Sequence, residues 1–183
     1  MFIRSPFVPI AAVLALTPAS TAEVTEKAPD GFVINLERSS ELTVSAVQAK
    51  ARDIGGWWSS AHTYSGDAAN MSLEAAGGSL FWIERWEAGF VEHGRVLVDM
   101  ENEAAATFRL QAALGPLQEM GVNGVLSIVS EAETDEGTPE ESVIRFQYVI
   151  TGASFSGMDG IADVVNMVLT EQIESLVASP EAL

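Results

Sequence analysis

The residues able to do chemistry are few, and their spacing excludes more than it supports. The 183-residue chain has no cysteine, which removes thiolate nucleophiles, thiolate metal sites and disulfides. Its two histidines, His62 and His93, stand far apart and outside any H-x-x-x-H or H-E-x-x-H spacing, so a zinc centre is not expected. Gly152-Ala153-Ser154-Phe155-Ser156 misses the G-x-S-x-G elbow because a serine replaces the second glycine. Gly121-Val122-Asn123-Gly124 has no following helix to supply amide donors to a phosphate. No metal and no cofactor is expected.

What remains is a set of polar groups on otherwise apolar faces. Glu84 shares strand parity with Trp82 and Trp86 and so points at the core. An inward carboxylate is expected to have a raised pKa, suited to a general acid or base, unless it pairs with Arg38 or another donor or a local bulge turns it to solvent. His62 follows Trp57-Trp58 in a loop and is a second candidate for proton transfer or ligand contact, or else an ordinary surface histidine. Tyr148 and Gln172 either orient a ligand by hydrogen bonds or satisfy nearby backbone groups. His93 shares parity with Arg95 and is expected to face outward.

These residues need a scaffold, and the pattern predicts one. A helix is expected over 156–178, with Ile161, Val164, Val165, Val168, Leu169, Ile173 and Leu176 on one stripe and Asp163, Asn166, Thr170 and Glu174 opposite. Ser156 and Asp159 have capping-box spacing, and Pro180 ends the segment. Gln172 interrupts the stripe. A glutamine there is expected to sit beside a gap between helix and sheet, so that Gln172→Leu would stabilise the fold and weaken ligand binding.

Upstream, Phe32, Ile34 and Leu36 alternate as a strand, Thr43 caps a short helix ending at Gly55-Gly56, and a meander follows. Its strand cores are 80–86, 91–100, 107–114, 122–130 and 143–150, with connections short enough for antiparallel neighbours. Further strands are plausible around Tyr64 and around Met71 to Leu73. Arg85, Arg95, Arg109 and Arg145 fall on one common face, the solvated convex side. The opposite face carries Trp82, Phe108, Leu110, Phe146 and Tyr148 toward the helix. With Trp58 and Val165, these are expected to line a cavity holding a ligand.

Composition narrows the partners. The net charge is −17, which repels phosphate backbones and anionic headgroups, so neither nucleic acid nor electrostatic membrane docking is expected. Arg4, the apolar run Phe7 to Leu16 and Ser20-Thr21-Ala22 read as a signal peptide cleaved after Ala22. That reading makes residues 1–22 a leader to be removed, 23–30 a short polar lead-in and 31–180 one folded domain. The product would be periplasmic or secreted, with no stable membrane anchor after cleavage. Glu131 to Glu141 is strongly acidic around Gly137 and reads as a solvated hairpin tip rather than a calcium loop.

The order of these features resembles the START-like (SRPBCC) superfamily of polyketide cyclases, Bet v 1-type allergens and Hsp90-ATPase-activator homologues. The matching stretches are Gly55-Gly56-Trp57-Trp58, His62 to Gly66, Gly77-Gly78 with Glu84, and His93-Gly94-Arg95-Val96. Gly115-Pro116-Leu117-Gln118, Gly137-Thr138 and the terminal helix complete the series. The resemblance covers roughly residues 31–179. It implies an α+β helix-grip fold, a curved antiparallel sheet of about seven strands around the long C-terminal helix. It also implies a cavity for a hydrophobic or amphipathic small molecule that is lipid, polyketide-like or sterol-like. The alternatives are a cyclase or dehydratase using Glu84 and His62, and a protein-interaction module built on the Gly115 to Gly121 turn.

Overall fold

The computed structural model describes residues 22–133 and 141–178. Residues 1–21 of the segment read as a signal peptide, the tip of the acidic hairpin and Pro180 lie outside the described residues.

Eight strands form one antiparallel sheet. In chain order they are β1 (Ala22–Ala28), β2 (Gly31–Ser40), β3 (Met71–Ala76), β4 (Ser79–Trp86), β5 (Gly89–Glu101), β6 (Ala105–Gln111), β7 (Asn123–Ala132) and β8 (Ser142–Thr151). Their spatial order is β1-β2-β8-β7-β6-β5-β4-β3, so the chain folds one edge, crosses to the other, and returns as a meander. The crossing carries helix α1 (Val44–Arg52), whose N-cap Thr43 accepts from the Ala46 N–H at 3.2 Å. Helix α2 (Ala162–Val177) closes the chain and packs on the concave face beside α1. This is the helix-grip arrangement, with eight strands rather than seven.

No strand forms around Tyr64, where the chain bends, and the strand not expected is β1. Residues 23–30, expected as a polar lead-in, instead pair with β2 from Ala22↔Leu36 to Ala28↔Gly31. An edge strand that is mostly exposed carries no alternation to announce it, and β1 bulges between Val24 and Glu26.

The start of the last helix also differs. Short 3₁₀ turns at Ser154–Ser156 and Met158–Gly160 precede α2, and Gly157 between them has φ +64°. That left-handed residue ends any helix begun at Ser156, so no Ser156–Asp159 capping box forms, and α2 starts after Ile161 without a side-chain cap.

Strand parity places the core. Phe32, Ile34, Leu36, Phe108, Leu110, Leu126, Phe146, Tyr148 and Ile150 point inward and are buried, joined by Trp57, Trp82 and the α2 residues Leu169, Ile173 and Leu176. Arg85, Arg95 and Arg145 lie exposed on the convex face, with Arg109 half-buried among them. Two bulges in β5 change its phase. Trp82 pairs with Gly94 while Ile83 pairs with Glu92, which leaves His93 as the extra residue on β5. His93 and Gly94 therefore both face inward, against the expectation that His93 faces out; the chain then returns Arg95 to solvent. A Cβ on Gly94 would lie 2.6 Å from the Ala112 Cβ, so glycine is required where β6 crosses so near. The second bulge, between Val96 and Val98, aligns Val98 with Arg109 and turns Asp99 toward α1. There Asp99 accepts from Gln48 at 2.6 Å and from Arg52 at 2.7 Å.

Candidate functional site

The α2 stripe divides in two. Leu169, Ile173 and Leu176 are buried against the sheet, whereas Val165 and Val168 are only partly covered and Val164 is 56% exposed. The uncovered half faces a cleft of about 590 Å³. One wall is this half of α2, with Ile161 before it. A second is the segment from Trp58 to Tyr64. The third is the turn from Leu114 to Met120, which contains a 3₁₀ turn at Gly115–Gln118 with Pro116 in its first turn. The surface is mostly apolar, and its volume falls in the range of roughly 300–1,000 Å³ usual for small-molecule sites.

Of the residues expected to line a cavity, the structure brings Trp58, His62 and Val165 together in this cleft. Trp82, Phe108, Leu110 and Phe146 do not reach it; each is at most 1% exposed and closes the interior between sheet and helix. The space lies at one end of the grip rather than along its middle.

Glu84, Tyr148 and Gln172 are also fully buried and outside the lining, yet each holds a wall of the cleft. The Glu84 carboxylate accepts from the Tyr64 N–H at 3.1 Å and from the Ser65 N–H, and contacts His93 Nε2 at 2.9 Å. Gln172 Oε1 accepts from the Ser59 N–H at 2.8 Å, and its amide donates to the Val168 carbonyl at 3.3 Å. Tyr148 donates to the Ala112 carbonyl at 2.9 Å and accepts from the Leu114 N–H at 3.1 Å. Gln172 therefore fills its own gap with protein partners, contrary to the expectation of an unfilled space beside it.

The electrostatics of Glu84 also run against expectation. Burial pushes its carboxyl up, but hydrogen bonds from the Ser65 hydroxyl, the Ser65 and Tyr64 N–H groups and His93 outweigh burial and hold it below the ordinary carboxylate value. His93 is shifted down because burial outweighs the attraction of Glu84. An ionised Glu84 beside a neutral His93 that donates through Nε2 accounts for both directions. With no exposure, Glu84 does not line the cleft that holds His62, so the two do not present a paired acid and base to it. Burial pushes the Tyr148 phenol up, so it stays protonated.

His62 is positioned from two sides. The Trp58 indole donates to its carbonyl at 3.0 Å, and its Nε2 lies 3.0 Å from Glu171 of α2. The Ser59 hydroxyl and His62 hold the Glu171 carboxyl below its ordinary value. An aromatic series leads from the core to the rim: Phe146, Trp57, Trp58, Trp82, His93 and Tyr64, with successive ring centroids 4.9–6.2 Å apart. Tyr64, at 44% exposure, is its outer end.

Sequence reasoning missed the apolar turn wall, Tyr64 and the inward His93. The glycine after His93 was the available signal, because a glycine inside a strand pattern marks a bulge. Among the described residues, no group of three or more His, Asp or Glu could hold a metal ion.

No family model matches the chain, and no curated protein matches it. Solved structures do. A hypothetical protein of Helicobacter pylori superposes with a TM-score of 0.51 at 11% identity, covering 97% of this chain and 96% of that one. An uncharacterized protein of Bacillus thuringiensis does so with a TM-score of 0.50 at 12% identity, over 79% of this chain and 96% of that one. The Zhui aromatase/cyclase of a Streptomyces species overlaps more loosely, with a TM-score of 0.46 at 11% identity over 80% and 92%. Likeness at these identities concerns the fold.

Proposed function

We propose that the chain is a START-like binding protein that holds a hydrophobic or amphipathic small molecule in the cleft between Trp58–Tyr64, Leu114–Met120 and the first half of α2. The observation that carries this reading is the split stripe of α2. Ile161, Val164, Val165 and Val168 are apolar, adjacent and only partly covered by the protein's own core, and they border a space of ligand size. Exposed aliphatic surface of this kind is a driving force for association with an apolar partner, at about 25 cal/mol per Å² buried. Binding without catalysis is the reading we favour, since Glu84 is enclosed and does not line the cleft.

Titration with Nile red, a neutral dye that brightens in apolar surroundings, tests this directly. Saturable enhancement with quenching of tryptophan emission, displaced by a decyl-chain compound, is the expected result. Absence of saturable binding at micromolar dye would remove the reading.

We further propose that residues 1–22 are an export signal. Cleavage after Ala22 leaves β1 its residues from Glu23 onward. The intact mass of the protein recovered from outside the cytoplasm of its host, starting at Glu23, is the expected outcome; retention of Met1 there would refute it.

A further inference from the structure

We infer that the cleft selects its ligand by charge, accepting a cationic amphiphile with an amine or quaternary ammonium head and rejecting the matching carboxylate. This rests on the small-molecule reading above and concerns the head group rather than the chain.

Among the described residues, no lysine or arginine lines the mouth, and the acids there are carboxylates. The ionisable side chains in the lining are His62, Tyr64 and Glu119. Glu119 is exposed on the turn wall, and no Lys or Arg pairs with it among the described residues. Glu171 stands next to the lining through its contact with His62. Glu119 and Glu171 give the mouth two carboxylates against a single imidazole, that of His62. Behind the Tyr64 wall lies Glu84, a third carboxylate, and the Tyr64 phenol is pushed up by burial and then by the charges of Glu119 and Glu84.

The lysines and arginines among the described residues are all committed elsewhere. Lys27 binds Asp163, Arg38 binds Glu174, and Lys50 binds the Ser175 and Ala178 carbonyls at the far end of α2. Arg52 binds Asp99 and Glu101, Arg85 binds Glu74, and Arg145 binds Glu37 and Glu131. Arg95 and Arg109 donate to Gln111 and Ser127 across the convex face. None lines the cleft. A carboxylate ligand would bring its charge to two others without a counter-ion, which opposes binding. A cation meets two carboxylates in a lining that includes the aromatic residues Trp58 and Tyr64, and aromatic rings attract positive charge. The net charge of −17 adds a long-range attraction of the same sign.

The test is a competition against Nile red at low ionic strength with three ligands of equal chain, decyltrimethylammonium, decanol and decanoate, all below micelle-forming concentrations. The expected order is cation, then alcohol, then carboxylate, with about tenfold or more between first and last, shrinking as salt is added. Glu119→Lys is expected to narrow or reverse that ratio. Decanoate binding as tightly as decyltrimethylammonium would overturn charge selection while leaving the cleft a binding site. Failure of all three to displace the dye, or of the dye to bind, would instead remove the binding reading itself. Val165→Trp, which fills the cleft without altering charge, separates site from surface. Cation binding that persists unchanged in that variant is diffuse attraction to an acidic protein and would overturn the inference; its loss supports it.

Discussion

The buried carboxylate of Glu84, on the fourth strand, accepts a hydrogen bond from the backbone N–H of Tyr64 at 3.1 Å. That contact ties the sheet to the rim of the cleft, and two others repeat its logic. Gln172 holds Ser59 and Tyr148 holds Leu114, each through a backbone N–H that secondary structure leaves without a carbonyl. Three polar side chains that look misplaced in the core are thus positioning residues, and each braces one end of a wall segment.

Removing the first brace has a graded consequence. Glu84→Ala leaves the Tyr64 and Ser65 N–H groups and His93 without their acceptor in a dry site. A loss of about 3 kcal/mol or more is expected, since each orphaned buried donor costs about 1–3 kcal/mol. Glu84→Gln keeps one acceptor oxygen and is expected to lose about 1–3 kcal/mol. Urea unfolding of both variants decides it; equal midpoints for Glu84→Ala and the parent would show that the carboxylate braces nothing.

The same pair makes stability fall in acid. The folded state holds His93 below its ordinary value of 6.5, so the unfolded chain binds the proton first. Stability therefore declines as pH drops below about 6.5 and continues to decline until the folded histidine also titrates. Glu84 is held below its ordinary 4.5, so its contribution is present above that value and is lost as pH falls through the lowered one. Unfolding free energies between pH 8 and 4 should show the first decline, and His93→Gln should flatten it. A flat profile in the parent over pH 7 to 5 would contradict the assignment of a neutral, buried His93.

Gln172 reverses the expectation drawn from its place on the stripe. Because its carbonyl holds the Ser59 N–H and its amide the Val168 carbonyl, Gln172→Leu adds apolar surface but orphans a buried donor. The donor costs more than the leucine contributes, so a net loss of about 1–3 kcal/mol is expected, with weaker dye binding as the Trp58–Tyr64 wall loosens. A raised unfolding temperature in this variant would restore the view that a void lies beside residue 172.

Much of the framework was legible because burial leaves a period in the sequence. Alternation of Phe108 with Arg109 and Phe146 with Arg145 set both faces of the sheet, and the same parity placed Glu84 inside. Three features were not legible. The first strand, exposed on its edge, has no buried set to repeat. His93 was assigned outward because an alternating count cannot register a bulge that adds one residue. The cleft was misplaced because a stripe of apolar residues looks the same whether it meets a sheet, as Leu169 and Ile173 do, or a ligand-sized opening, as Val164 and Val168 do.

Val165→Trp is the sharpest test of where the opening lies. Val165 sits in the first half of α2, half-buried, where it packs against the edge of the core and also lines the cleft. Overpacking a filled core costs typically about 1–3 kcal/mol, because neighbours must leave their rotamers. A tryptophan at 165 has the cleft to occupy, so the expected change in stability is within about 1 kcal/mol, while dye affinity falls at least tenfold. The control is Phe108→Trp, which enlarges a fully buried residue in the closed interior and should destabilise without selectively blocking the dye. If the two variants behave alike in unfolding, residue 165 belongs to the packed core and the ligand space must be sought elsewhere.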